Sequence, residues 1–158
     1  MKPGKVRPIA VCVFRKDDHI LVAEGCDATK QQFFYRPLGG TIEFGEYSQE
    51  TVVRELKEEI GADITDVRHL ATIENIFTYN GQTGHEIVQV YEGSFVDKSI
   101  YEMGTIIGHE PDDASIKAVW KPLIDFKEGK APLYPDGLVE VLEQIYENAK
   151  HRNSTGLH

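Results

Sequence analysis

The chain has 158 residues, of which 41% are hydrophobic and 27% charged, a balance that excludes disordered and fibrous proteins. A chain of this length buries enough surface for one self-sufficient domain, so we expect a single domain over residues 1–158 with its core at about residues 5–150. Seventeen basic residues oppose 26 acidic ones, which gives a formal net charge of −9. That sign opposes binding to a nucleic-acid polymer, because polymer binding depends on cations that neutralise phosphates.

The two cysteines and the hydropathy pattern bear on the compartment. Cys12 and Cys26 are too few for a disulfide scaffold and lack the spacing of a CxxC zinc site, so we expect two reduced, structural thiols. The N-terminal segment has no signal-peptide pattern, and no run reaches the ~18 apolar residues of a membrane span. We therefore expect a cytoplasmic protein with no membrane partner, and a homodimer is compatible with this composition.

The first part of the chain alternates strand and helix patterns. Residues 8–14 and 19–23 are apolar or alternating runs separated by RKDD, which is typical of a hairpin. Residues 36–40 (RPLGG) are typical of a turn. Residues 48–60 have apolar side chains at helical spacing, with Ser48 as the predicted N-cap and Gly61 as the predicted C-terminal stop. The expected buried face of this helix comprises Val52, Val53, Leu56 and Ile60.

The second part begins with a long hairpin pattern. Residues 67–79 and 85–96 alternate around NGQTG, whereas residues 97–114 have weak periodicity and are predicted to form a loop. Residues 116–123 predict a strand, and the apolar spacing from Leu138 to Tyr146 predicts an amphipathic helix, followed by a frayed tail at residues 151–158. Strands interleaved with helices predict an α/β or α+β domain in which a mixed sheet is covered on both faces.

An unusual concentration of acid lies on the first helix. Glu55, Glu58 and Glu59 have i, i+3 and i+4 spacing, at which like charges repel by a few tenths of a kcal/mol per pair. Carboxylates at the margin of a core are also poorly screened. Mg²⁺ or Mn²⁺ would neutralise them, because hard cations take oxygen ligands and bridge to phosphates. The glycine turn upstream makes the carbonyl of Gly39 a further candidate ligand.

The spacing of residues around these acids forms a complete motif. Gly40, five residues, Glu46, seven residues, and then RELxEExG over residues 54–61 resembles the Nudix box. With Gly, Glu and Arg each taken at about one in fifteen, the seven fixed Gly, Glu and Arg positions alone would match by chance on the order of 10⁻⁸ per starting position. Ala62 departs from the pattern, since the family usually places a larger aliphatic residue there, and this affects local packing. The resemblance implies an αβα sandwich with a mixed β-sheet between helices, and hydrolysis of a nucleoside diphosphate linked to another moiety, with Mg²⁺ or Mn²⁺ required.

The resemblance also implies roles for individual residues. Glu55 and Glu59 would be the principal metal ligands, and Glu58 a further ligand or a base. Arg54 and Glu46 would orient them, because an arginine fork fixes carboxylate geometry. The predicted catalytic set is therefore Arg54, Glu55, Glu58 and Glu59, with the general base left open. Some members of the family use a carboxylate outside the box, and the residues available for that role, or as a solvated loop, are Glu110, Asp112 and Asp113.

Aromatic residues on either side of the motif are candidates to stack a nucleobase, although strand alternation also predicts them as core. They are Phe33, Phe34, Tyr35, Phe77 and Tyr79. Among residues near the box, Tyr35, Arg36 and Tyr79 are the candidate substrate-binding residues. Some family members that act on dinucleoside polyphosphates place a tyrosine at about the distance of Tyr79, and a proline typical of ADP-ribose hydrolases is missing. His85 is expected to be a strand residue rather than a ligand.

Two functions from different classes fit these observations. One is a metal-dependent hydrolase that cleaves a pyrophosphate linkage in a small nucleoside diphosphate derivative. The other is a catalytically silent Nudix-like domain that binds a nucleotide or a partner as a sensor. The intact acidic stripe favours the enzyme, because a pure binding module has no need for it. A third function, hydrolysis at an RNA 5′ end, conflicts with the acidic balance except for a short 5′ end.

Overall fold

The computed structural model describes residues 4–110 and 114–155, and this part of the chain forms nine strands and three α-helices. The strands are β1 (Val6–Val13), β2 (Arg15–Lys16), β3 (His19–Asp27), β4 (Gln32–Arg36), β5 (Leu38–Thr41), β6 (Ile64–Tyr79), β7 (Gln82–Phe95), β8 (Thr105–His109) and β9 (Ser115–Pro122). The helices are α1 (Ser48–Ile60), α2 (Leu123–Lys127) and α3 (Leu138–Thr155), with a 3₁₀ helix at Lys98–Glu102.

The strands form two sheets. One is mixed and has the order β5-β1-β7-β6, in which β1 runs parallel to β7. The other is antiparallel and has the order β2-β3-β9-β8, with β4 also paired to β3. The predicted hairpin between residues 8–14 and 19–23 is wrong, because β1 pairs with β5 and β7 and not with β3. The hairpin partner of β3 is instead the two-residue strand β2. The apolar alternation of β1 identifies a strand but carries no information about its partners.

The predicted long hairpin is confirmed as β6 and β7, joined through Asn80 and Gly81. Both turn residues have positive φ, 49° and 77°, as expected for an Asn-Gly turn between twisted strands. The predicted turn at residues 36–40 is wrong, because Leu38–Thr41 is a strand paired with β1. A side chain at Gly39 would collide with the carbonyl oxygen of Ala10, so glycine there permits the two backbones to approach closely.

Helix α1 has the predicted length, with two local differences. Its N-cap is Tyr47 rather than Ser48, and the Tyr47 N–H donates to Glu50 Oε1 at 2.9 Å. Its C-cap is the predicted Gly61, at φ 69°. Val53 is exposed, contrary to the prediction, and Glu59 is buried in its place. The buried face therefore lies on Val52, Leu56 and Glu59, which are i, i+4 and i+7 positions, with Thr51 buried beside them in the first turn.

The two faces of β1 enter two different core layers. Ala10 and Cys12 pack with α1 residues, whereas Ile9, Val11 and Val13 pack with residues from α2 and α3. Helices therefore cover opposite faces of the mixed sheet, and the predicted fold class, an αβα sandwich, is confirmed. Ala62 is also buried in the α1 layer.

Three other predictions need correction. The segment 97–114 contains the 3₁₀ helix and β8 rather than only a loop, and α2 follows the predicted strand at 116–123. Helix α3 continues to Thr155, so the frayed tail predicted from residue 151 is wrong as far as residue 155, and residues 156–158 lie outside the described residues. Of the two free cysteines, Cys12 is buried as predicted but Cys26 is exposed. No helix in the described part of the chain is long and apolar enough to cross a membrane.

Candidate active site

Arg54 on α1 is the centre of an ionic network. Its Nε and Nη2 donate to the two carboxylate oxygens of Glu46 at 2.7 and 2.9 Å, a bidentate pair. Its Nη1 donates to Glu55 Oε1 at 2.9 Å and to Glu58 Oε2 at 3.2 Å. Its Nη2 also donates to the carbonyl of Thr41 at 3.1 Å, which connects α1 to β5. The structure thus brings the sequence-predicted orienting pair together with two of the three predicted acids.

The network stabilises the charged forms of its members. The bonds from Arg54, opposed in part by burial, lower the pKa of Glu46 to about 2. The same interactions raise the pKa of Arg54 above its ordinary value. The Thr51 hydroxyl adds a further bond to Glu46 at 2.7 Å. Glu46 therefore stays ionised at neutral pH and fixes the guanidinium, which in turn fixes Glu55 and Glu58.

Strand β5 places glycine backbone directly against these acids. A methyl group added to Gly40 would collide with the carboxylate of Glu55. Gly39, the predicted carbonyl ligand, immediately precedes it in the chain, so its carbonyl carbon is bonded to the Gly40 nitrogen. The pairing of β5 with β1 thus produces the approach of backbone to acid that the glycine-rich sequence predicted. The role of the Gly39 carbonyl as a ligand stays a prediction.

Glu59 has the most perturbed environment of the three acids. Its side chain belongs to the buried face of α1, and the residue is 5% exposed. Burial, followed by the charge of Glu55 and a hydrogen bond with it, raises the pKa of Glu59 to about 9. Glu110 adds to this increase, and Arg36 opposes it. Strand β8 packs closely against this end of α1. A side chain at Gly108 of β8 would collide with the backbone carbonyl of Glu59.

The surroundings of Glu59 fit a hard divalent cation. Its Oε1 is buried and has no hydrogen-bond partner, which is costly for a carboxylate oxygen. Across the described residues, no three His, Cys, Asp or Glu side chains already surround a common centre. Arg54 instead holds the carboxylates of Glu55 and Glu58. An unpartnered buried oxygen beside a second carboxylate matches the oxygen-only chemistry of Mg²⁺ and Mn²⁺.

A cavity of about 360 Å³ adjoins this cluster. Arg36 and Glu110, whose charges act on Glu59, both line it. The cavity is large enough for part of a small organic ligand, which typically occupies a few hundred Å³. Glu110 is exposed, and the other two predicted loop acids, Asp112 and Asp113, lie outside the described residues. The cations in its wall are Arg7, Lys30 and Arg36.

The candidate aromatic residues separate into three groups. Tyr35 is buried in the core, where its hydroxyl donates to Glu24 at 3.0 Å, and it does not line the cavity, so its contact with substrate stays a prediction. Phe33 is exposed, and it does not line the cavity. Those that line the cavity are Phe34, Phe77 and Tyr79. Phe34 forms edge contacts with Tyr79 and with Tyr134, at centroid distances of 5.7 and 5.8 Å.

Some cavity residues were not identified from the sequence. Arg7, Asn75, Glu86 and Tyr134 also line the cavity, and their positions in the chain carry no motif. Asn75 and Glu86 are buried although polar, which only tertiary packing reveals. Period-2 alternation could have identified Glu86, because it lies in phase with Val88 and Val90 on β7. The predicted strand residue His85 is in β7, as expected.

The fold is similar to that of several solved structures. The E. coli ORF135 protein aligns with a TM-score of 0.58 at 22% identity, covering 90% of this chain and 91% of that one. A NUDIX hydrolase from Nitrosomonas europaea aligns with a TM-score of 0.60 at 18% identity, covering 91% and 90%. A structure described as ADP compounds hydrolase has a TM-score of 0.56 at 21% identity, covering 96% and 77%. At these identities the likeness concerns the fold alone.

Sequence relatives point to the same family. An RNA pyrophosphohydrolase from Ruthia magnifica is 24% identical, covering 91% of this chain and 84% of the relative. An NAD-capped RNA hydrolase, NudC, from Vibrio vulnificus is 31% identical over 68 residues, which are 43% of this chain and 25% of that protein. This chain therefore matches only about a quarter of the length of NudC. The family model for the NUDIX domain matches residues 4–144, and the chain belongs to the NUDIX family.

Proposed function

We propose that the protein is a divalent-metal-dependent hydrolase that cleaves a pyrophosphate linkage in a small nucleoside diphosphate derivative by attack of water at phosphorus. The observation that carries the proposal is the buried, unpartnered oxygen of Glu59 beside Glu55, whose neighbours Arg36 and Glu110 line a cavity of about 360 Å³. A sensor domain that only binds a nucleotide has no need to maintain this costly arrangement.

The acidic cluster on α1 would bind the metal, and the cavity would bind the substrate. Glu55 and Glu59 would hold Mg²⁺ or Mn²⁺, with Glu58 and the Gly39 carbonyl as further ligands. The bound metal would neutralise phosphate oxygens and lower the pKa of a water molecule. Arg54 orients Glu55 and Glu58, and Glu46 keeps Arg54 in place.

The cavity wall contains basic residues that can contact the phosphates of a substrate. The protein has a net charge of −9, so an anionic substrate needs local positive charge. Arg7, Lys30 and Arg36 line the cavity and can contact phosphates, but the four acids in the same wall outnumber them, so a bound divalent cation would supply the remaining positive charge. In the reaction, the water oxygen forms a bond to phosphorus, the bridging P–O bond breaks, and the water proton passes to a carboxylate. Among the described residues the candidates for that transfer are Glu58 and Glu110, and Asp112 and Asp113, outside the described residues, stay candidates as well.

The test is hydrolysis of a panel of nucleoside diphosphate derivatives with Mg²⁺ and with Mn²⁺. We expect two phosphorylated products from the preferred substrate, and no turnover with chelator. The variant Glu59→Gln should abolish turnover, whereas Glu74→Gln, an exposed glutamate on β6, should leave it unchanged. Tight binding of nucleotides without turnover under all these conditions would contradict the hydrolase and support the sensor.

A second candidate is a pyrophosphate at the 5′ end of RNA. Its support is the relative from Ruthia magnifica, named an RNA pyrophosphohydrolase, which aligns with 91% of this chain. The acidic balance of this protein opposes contacts along a polymer, so only a short 5′ end would fit. A triphosphorylated RNA oligonucleotide, added to the panel of nucleoside diphosphate derivatives, decides between a small nucleotide and an RNA 5′ end as the substrate. Faster hydrolysis of the oligonucleotide than of every small nucleotide would favour RNA.

A further inference from the structure

Three polar residues form a row across the mixed sheet and face into the cavity. Arg7 on β1 pairs with Glu86 on β7, and Glu86 pairs with Asn75 on β6. Residues directly opposite each other on neighbouring strands lie on the same face of a sheet, and all three residues line the cavity. Glu86 is 6% exposed and Asn75 is 3% exposed, so these two residues are nearly inaccessible to bulk water, whereas the Arg7 side chain is 32% exposed.

The row presents donor, acceptor and donor in that order. Arg7 Nη2 donates to Thr41 Oγ1 at 2.9 Å, and its Nη1 lies 3.5 Å from Glu86 Oε2. Glu86 supplies only acceptors. Asn75 Oδ1 accepts the Asp136 N–H at 3.4 Å, which leaves the Nδ2 donor for the cavity. The two outer residues are thus held by neighbouring groups, and the residue in the centre lines the cavity, where its carboxylate can accept a hydrogen bond from a ligand.

The row lies beside both the catalytic cluster and the aromatic residues. Thr41 bonds Arg7 through its hydroxyl and Arg54 through its carbonyl, so one residue connects the row to the catalytic helix. Phe34 and Tyr79 line the same cavity and supply ring surfaces for a flat ligand. A nucleobase bound here would remain close to a diphosphate at the glutamates. This inference therefore rests on the proposed function and concerns its substrate.

We propose that Glu86 and Asn75 are specificity-determining residues that select a nucleobase whose edge presents a donor between two acceptors. Adenine has this edge at its 6-amino group, between N7 and N1, and uracil has it at N3–H, between two carbonyls. Guanine places its 2-amino donor next to the N1–H donor. If the amino group bonded the central acceptor of the row, N1–H would face one of the two donors of the row. Cytosine has an acceptor on only one side of its amino group. A buried polar group left unpaired costs enough to separate these bases.

The experiment compares four substrates that share one leaving group: ADP-glucose, UDP-glucose, CDP-glucose and GDP-glucose. We expect kcat/KM for the adenine or the uracil compound to exceed that for the guanine compound by about tenfold or more, which is about 1.4 kcal/mol. The comparison of ADP-glucose with UDP-glucose identifies which of the two bases is preferred. A guanine compound hydrolysed as fast as both would overturn the proposal.

The variant Glu86→Gln keeps the shape of the side chain and removes its charge. We expect the preferred base to lose most of its advantage, through a higher KM with little change in kcat. Glu74→Gln is the matched control, since Glu74 precedes Asn75 on β6 and is exposed. A Glu86→Gln variant that retains the wild-type base preference would contradict the proposal. If Glu86→Gln does not fold, the variant Asn75→Ala replaces it. Loss of the base preference in Asn75→Ala would support the proposal, and retention of the wild-type preference would contradict it.

A binding measurement separates this proposal from the proposed function. Calorimetric titration with adenosine, uridine, cytidine and guanosine in chelator needs neither phosphate nor metal. Weaker binding of guanosine than of adenosine or uridine supports the proposal, even for a protein that hydrolyses nothing. Equal binding of the four nucleosides, or binding of none together with base-independent hydrolysis, overturns it while leaving the hydrolase intact.

Discussion

Replacing Glu59 by glutamine should stabilise the metal-free protein increasingly as the pH rises. The pKa of Glu59 is raised from 4.5 to about 9, first by burial and then by Glu55. Between these values the folded state binds more protons than the unfolded state, so stability falls with rising pH across this window. The cost at pH 7 is at most about 3 kcal/mol, reduced by water that enters the cavity. Glutamine does not ionise and escapes this cost.

The assay is thermal unfolding of both proteins in chelator at several values between pH 5 and pH 8. About 1 kcal/mol moves Tm by 2–4 °C in a domain of this size. We therefore expect similar Tm values near pH 5 and an advantage of several degrees for Glu59→Gln near pH 8. Millimolar Mn²⁺ should reverse the order, because a ligand that binds only the folded state stabilises it.

The control variant is Glu74→Gln, which removes an exposed glutamate from β6. Its Tm should follow that of the wild type at every pH. The reasoning fails if Glu59→Gln has the same pH dependence as the wild type in chelator. A Glu59→Gln variant that is less stable at pH 8 would show that the carboxylate has a stabilising partner in the folded state.

Three further effects follow from the site. In the presence of metal, Glu59→Gln should reduce kcat by about a thousandfold or more, because a predicted ligand is lost, and near-normal turnover would remove Glu59 from the catalytic set. Gly40→Ala should weaken metal binding in calorimetry, since its methyl group would displace the Glu55 carboxylate, whereas Gly104→Ala meets no neighbouring atom and should change nothing. Glu46 has a pKa lowered to about 2, so it contributes stability that is lost as the pH falls from about 4.5 towards 2. Glu46→Gln should lack this acid-dependent loss in a denaturant titration. If the free energy of unfolding of the variant fell with pH as steeply as that of the wild type, the proposed role of the Glu46–Arg54 pair would be contradicted.

Local sequence was sufficient for the elements whose signals are contained within a few residues. The end of α1 at Gly61 follows from one glycine, and the β6–β7 turn follows from Asn80 and Gly81. The spacing of the box residues was also sufficient to identify the family, because a helix converts spacing into a common face. The partners of β1 could not be predicted this way, since alternation is the same whichever strand lies beside it.

Burial was the property that the sequence decided least. Helical spacing placed Val53 inside and Glu59 at the margin, and the structure exchanges them because β8 packs against the end of α1 at Glu59. Tyr35 was predicted at the substrate and lies in the core, whereas Phe34, its neighbour, lines the cavity. The row of Arg7, Glu86 and Asn75 joins the β6–β7 hairpin to β1, which lies far from it in the chain. The sequence alone thus determined which chemistry the helix carries, and only the pairing of distant strands decided which side chains share its cavity.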